Sequence, residues 1–198
     1  MDDYMSASSV PSITPVPVIL KAQRVQGNTL AFRDARVEDA EFILSLRTDI
    51  DKSRYLNATA NDVAAQRAWL DNYASLGGQV YFIIEHEGAD IGTVRLYDAQ
   101  GESFCWGSWI LKDGRPKQAA VESALMVYAY AVNYLGFKAA HFDVRKGNDR
   151  VLKFHERFQA RRVAENELDY FYTIDGAAIQ NSLETLSSFL PNGVRVVE

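Results

Sequence analysis

A single cysteine, Cys105, excludes an internal disulfide framework and any cysteine-rich metal site, and it fits a reducing compartment. No metal is expected. No apolar run approaches the roughly 18 residues that cross a bilayer, so no membrane partner is expected either. Basic charge is also scarce. The chain sets 21 Lys and Arg against 26 Asp and Glu, a net charge of -5, which argues against nucleic acid as a partner. A leader peptide is not expected: Met1-Asp2-Asp3 is acidic, and Pro11, Pro15 and Pro17 break the only apolar stretch nearby. These absences together point to a cytoplasmic protein. Internal repeats and interdomain linkers are missing too. The rest, 47% hydrophobic and 24% charged over 198 residues, describes one globular domain with a sizeable core.

Residues 1–26 are rich in Ser, Pro and Val and read as an N-terminal arm, either flexible or adding an edge strand through Val18 to Val25. Residues 27–198 read as a single domain. A strand over Thr29 to Arg33 precedes a helix with Phe42, Ile43 and Leu46 on one face. The segment Asp49 to Ala60 is polar and irregular and holds Arg54, Tyr55 and Asn57. A second helix starts near Asn61, an acceptable N-cap, and ends before Gly77-Gly78. Three antiparallel strands follow, Val80 to Glu85, Ile91 to Tyr97 and Phe104 to Leu111. After Gln118 comes a long amphipathic helix, stopped by Gly136. A strand at Ala140 to Val144, a short helix carrying His155, a hairpin (Arg162 to Glu165, Tyr170 to Ile174) and a last helix complete the chain. This order predicts an α/β fold of α+β character, a mixed sheet flanked by helices.

The chemistry concentrates between Trp106 and Ala160. The basic loop Lys112-Asp113-Gly114-Arg115-Pro116-Lys117-Gln118 opens into a helix, and a helix start offers unpaired amides and the positive end of a dipole to an anion. A second strand-to-helix turn, Arg145-Lys146-Gly147-Asn148, lies beside it. A phosphate-bearing cofactor fits between two such strand ends.

This order, with those two turns, resembles the GNAT superfamily of acetyl-CoA-dependent N-acetyltransferases over roughly Thr29 to Ile174. Within it the chain looks closest to the ribosomal-protein and aminosugar branch, through Phe32-Arg33-Asp34-Ala35-Arg36, Leu46-Arg47-Thr48-Asp49 and Gln66 to Tyr73 leading into Tyr81-Phe82-Ile83-Ile84. The resemblance implies a mostly antiparallel sheet whose strand at Phe104 to Leu111 splays from the one at Ala139 to Val144. It implies acetyl-CoA in that gap, held by backbone at Trp109, Ile110 and Leu111, by the loop residues Arg115, Lys117, Gln118, Ala119 and Ala120, and by Asn148. Two departures stand out. Pro116 and Gln118 replace the family's loop glycines, which normally permit close backbone approach to phosphates. His155 stands where the family's leaving-group tyrosine usually stands, and Gln159-Ala160 replaces its Gly-Phe.

Acyl transfer to an amine needs a neutral nucleophile, a donor for the developing oxyanion and an acid for the thiolate. His155, as imidazolium, is the candidate acid. Glu102 is the candidate base, with Asp98, Glu85, His86 and Asp143 as unranked rivals. Asn148 reads as the cap of the following helix as well as a cofactor neighbour. Trp106 and Trp109 differ by three, so they face opposite sides of a regular strand unless a bulge intervenes, with one lining the cleft. Arg54, Tyr55 and Trp106 are the candidate acceptor contacts. Cys105 reads as a small buried strand residue, so direct attack is expected. The acceptor expectation is a small-molecule amine, a nucleotide-linked aminosugar first. A protein N-terminus is the alternative, a non-catalytic CoA-binding module is a reading of another class, and a homodimer is allowed.

Overall fold

Alternation along the strands decides which helix covers which side of the sheet. The computed structural model describes residues 15–56 and 58–198, so Asn57 and most of the arm lie outside the described residues. Strand β1 (Arg24–Gln26) is followed by β2 (Leu30–Asp34), α1 (Ala40–Arg47), a single turn α2 (Ile50–Ser53) and α3 (Val63–Ser75). The meander comprises β3 (Val80–His86), β4 (Ala89–Gln100) and β5 (Ser103–Leu111). Helix α4 (Ala119–Tyr128), continued by a π-helical stretch (Ala129–Tyr134), leads to β6 (Ala139–Arg145) and α5 (Asp149–Arg157). The hairpin of β7 (Arg161–Glu165) and β8 (Asp169–Asp175), helix α6 (Gly176–Thr185) and β9 (Arg195–Val197) close the order.

The described strands form one nine-stranded sheet, β7-β8-β6-β5-β4-β3-β2-β1-β9, in which only β5 and β6 run parallel. The expected mixed, mostly antiparallel sheet flanked by helices is present. On one face Phe32, Phe82, Leu96, Trp106 and Phe142 form the larger core with α4 and α6. On the other, Tyr81 and Ile83 pack with Ile43 of α1 and Leu70 and Tyr73 of α3. These two helices cover the β3 side of that face, with α1 reaching β4 and β5, and contribute no core contact at β6 or β8.

Four details depart from the sequence expectations. Asp62, not Asn61, caps α3, its carboxylate accepting from the Ala65 amide at 3.0 Å. Helix α4 is not amphipathic, because Glu122 to Tyr130 are buried without interruption. The arm and α6 cover its outer side, and Tyr130 donates to the Leu20 carbonyl at 2.8 Å. Buried Glu122 accepts from the amides of Thr29 and Leu30 and from the Thr29 hydroxyl, so the helix pins the start of β2. Finally, β1 is not an edge. The unforeseen strand β9 pairs along its outer side, and Ile19, Ala22 and Val25 of the arm are core residues.

Candidate functional site

Two irregularities in β5 create the site. Strands β5 and β6 pair only from Ser103–Cys105 to Ala139–His141 and diverge beyond, which leaves one side of the β5 backbone from Trp106 to Leu111 without a strand partner. The register of β5 against β4 also shifts between Gly107 and Ile110, and Ser108 adopts φ 47°, a left-handed conformation that marks a bulge. Thr93 Oγ1 donates to the Ser108 carbonyl at 2.8 Å and holds the bulge. Gly92 admits the close approach opposite, since a Cβ there would lie 2.5 Å from the Ile110 carbonyl oxygen. The bulge turns Trp109 onto the same face as Trp106, with ring centroids 5.5 Å apart.

Two open cavities, about 850 and 630 Å³, meet at this point and share Tyr55, Leu56, Trp109, Asn148 and Val151. The larger is cationic. Six Lys and Arg side chains line it against three carboxylates, so an anionic ligand is favoured there. Arg150, Lys153 and Arg157 come from α5 and Arg115 from the loop before α4. Burial, and next the neighbouring Arg150 charge, push the Arg115 pKa down, and Asp113, 3.9 Å away, offsets only part of this. Of the expected cofactor residues, Trp109, Ile110, Leu111, Arg115, Ala120 and Asn148 line this cavity, whereas Lys117, Gln118 and Ala119 do not. Ala119 is turned into the core, its amide donating to the Pro116 carbonyl at 3.0 Å, and Lys117 points to solvent. Asn148 starts α5 without a side-chain capping bond, contrary to expectation, so its side-chain carboxamide is spared for the cleft, while its backbone N–H donates to the Arg145 carbonyl at 3.1 Å. The α5 cations were missed because charges on a helix read equally well as a solvated face.

The smaller cavity passes through the splay to the α1–α3 side. Arg47, Trp69, Tyr81, Arg95, Tyr97 and Asp143 are among its walls. The Arg95 guanidinium lies over the rings of Trp69 (5.2 Å) and Tyr97 (4.8 Å), while its Nε donates to Gln79 Oε1 at 3.0 Å. Arg47 Nε donates to Thr59 Oγ1 at 2.8 Å. Tyr55 lines both cavities, but Arg54 lines only the cationic one and stacks on Tyr55 at 4.8 Å. Trp106 borders the smaller cavity but is 3% exposed and packs mainly in the core.

His155 sits at the junction, on the core face of the splay. Its ring lies 4.2 Å from Phe142, 5.3 Å from Trp106 and 5.6 Å from Phe154, and is 5% exposed. Nδ1 is buried without a hydrogen-bond partner. Burial therefore pushes its pKa down to about 3, and the ring is neutral at physiological pH. The imidazolium acid expected from sequence is corrected to a neutral imidazole. Glu102 lies at the opposite end of β5, paired with Lys138, its carbonyl accepting from the amides of Lys138 and Ala139, and it lines neither cavity. Among its rivals, Glu85 is held by Arg24 and Arg33, and Asp98 lies 3.4 Å from His141. His86 ends β3, away from both cavities. Only Asp143 lines the smaller cavity. Burial pushes the Cys105 thiol up to about 11, so it carries no thiolate at neutral pH.

The model of the Acetyltransferase (GNAT) domain matches residues 29–161. Among solved structures, apo FdhC, described as a nucleotide-linked sugar GNAT, is 37% identical, with 84% of this chain and 98% of that chain covered and a TM-score of 0.75. A GCN5-related N-acetyltransferase from Brucella melitensis (14% identical, 89% and 90% covered, TM-score 0.73) shares the fold. So does a GNAT-family acetyltransferase from Bacillus anthracis (17% identical, 78% and 99% covered, TM-score 0.66). No curated protein matches.

Proposed function

The chain belongs to the GNAT acetyltransferase family, and we propose that it moves an acetyl group from acetyl-CoA to the primary amine of a nucleotide-linked aminosugar. Acetyl-CoA supplies the activated thioester carbon and a thiolate leaving group. The excess of cations around Arg115 and Arg150 suits its phosphates, and side-chain charge there takes over from the loop glycines that the sequence lacks. The unpartnered β5 backbone beside the splay suits the amides of a pantetheine arm. Direct attack fits the protonated, buried Cys105, which offers no covalent intermediate.

The acceptor reading rests on one observation above the others: Arg95 spread over Trp69 and Tyr97, with Arg47 in the same wall, on the side of the splay away from the cationic cofactor cavity. An aromatic face stacks a nucleobase and guanidinium groups pair with a diphosphate. The 37% identical FdhC is itself described as a nucleotide-linked sugar GNAT, which supports the same class. The test is calorimetric titration with UDP and dTDP. Binding that weakens about tenfold, roughly 1.4 kcal/mol, in Trp69→Ala and Arg95→Ala supports the reading. Absence of binding to either nucleotide at millimolar concentration contradicts it.

A further inference from the structure

We infer that Asp143 accepts the proton of the incoming amine, a role that rests on the acetyltransferase reading above. Its place on β6 carries the argument. Phe142 and Val144 turn into the core beside α4 and α5, so strand alternation sends Asp143 to the opposite face, where the acceptor cavity lies. It is the first residue of β6 beyond the last paired positions that has this orientation, because pairing with β5 ends at His141. The carboxylate therefore stands on the amine side of the gap, while His155 stands on the core side. Asp143 and Asp169 are the carboxylates that line this cavity, and Asp169 is paired with Arg145, which leaves Asp143 to face the amine.

The surroundings suit a base and not a structural ion pair. Arg145, two residues on, lies 3.0 Å from Asp169 of β8, so the nearest guanidinium is already engaged. Tyr97 of β4 and Cys105 of β5 also face Asp143, and both stay protonated. Arg47, Tyr55, Tyr81, Arg95 and neutral His155 also line the cavity that Asp143 faces. Asp143 is open to the cavity, and desolvation by the cavity walls, and next the Asp169 charge, still hold its carboxyl above the usual carboxylate range, closer to the pH at which a base works.

The step balances as follows. The ammonium group gives one proton to the Asp143 carboxylate. Its freed electron pair forms the C–N bond at the thioester carbon, and the C–S bond then breaks with its pair on sulfur. The second proton of the attacking nitrogen leaves with the thiolate, which departs as thiol, and Asp143 returns its proton to solvent. No charged histidine is required, in agreement with the neutral ring of His155.

The test compares two acceptors with acetyl-CoA as donor, following thiol release. UDP-glucosamine is a charged amine that needs a base, whereas hydroxylamine is already neutral at pH 7. Asp143→Asn is expected to lower kcat/KM for UDP-glucosamine about 100-fold or more, with hydroxylamine restoring transfer to within about threefold of wild type, as a reactant that needs no base. Asp143→Glu should recover part of the loss. Equal losses with both acceptors, or none with either, would overturn the role. Carboxyl-carbon NMR of Asp143 tests it without an acceptor, and titration at or below the ordinary value of about 3.9 would overturn it. Transfer to hydroxylamine but to no nucleotide-linked amine would instead sink the acceptor class, leaving Asp143 to be judged on its titration.

Discussion

His155 shows how far a residue's position and its state can part company. Its place in the chain is legible, since the helix after Asn148 brings it beside Phe142 and Trp106. Its protonation is not, because aromatic rings from β5, β6 and α5 together create the burial. The consequence is measurable. The folded-state pKa of about 3 lies below the unfolded value of about 6.5. Below pH 6.5 the unfolded chain takes a proton that the folded chain refuses, so stability present above pH 6.5 is lost as pH falls toward 3. Urea unfolding should show His155→Phe less sensitive than wild type to a drop from pH 7 to pH 5, by about 2 kcal/mol. An identical pH dependence in the two proteins would mean that the imidazole is solvated. Asp143 teaches the same lesson in reverse. Sequence leaves it among several equal carboxylates, and only the splay singles it out.

At the scale of the element, the bulge in β5 and the charged flank of α5 make the site. Plain alternation places Trp106 and Trp109 on opposite faces, and a single left-handed residue, Ser108, reverses that. Nothing in Gly107-Ser108 announces where the bulge falls. Gly92 is its counterpart on β4. Gly92→Ala would press a Cβ against the Ile110 carbonyl, and a loss of about 1–3 kcal/mol is expected in urea unfolding. An unchanged midpoint would show that the strands part there without cost. Of the loop residues the sequence singles out, Arg115 lines the cationic cavity, whereas Lys117 and Gln118 do not. Arg150 and Lys153 on α5 line it instead. The double variant Arg150→Ala, Lys153→Ala should weaken acetyl-CoA binding by about tenfold or more, roughly 1.4 kcal/mol, and leave acetyl-pantetheine, which lacks the nucleotide phosphates, unaffected. Equal weakening of both would place the phosphates elsewhere.

Across the whole molecule, the order of elements is what the sequence conveys best, because hydrophobic period and turn residues act locally. The mixed sheet and its helices follow from it. Long-range closure does not. The arm in the core, β9 beside β1 and α4 buried on every side depend on contacts between residues more than a hundred positions apart. Glu122 makes a similar long-range tie, and Glu122→Gln should cost about 1.5–3 kcal/mol of stability as its charge-assisted bonds weaken, read from the shift in urea midpoint. The same closure sets a cationic cavity on one side of the splay and an aromatic, arginine-lined cavity on the other, joined at Trp109 and Asn148. That arrangement makes a two-substrate reading testable in one measurement: mass spectrometry of products after wild-type protein meets acetyl-CoA with UDP-linked and dTDP-linked aminosugars, free glucosamine and a peptide together. The account predicts one acetyl group on a nucleotide-linked sugar, with free sugar and peptide unchanged. Acetyl on the peptide N-terminus alone, or on nothing, would contradict it.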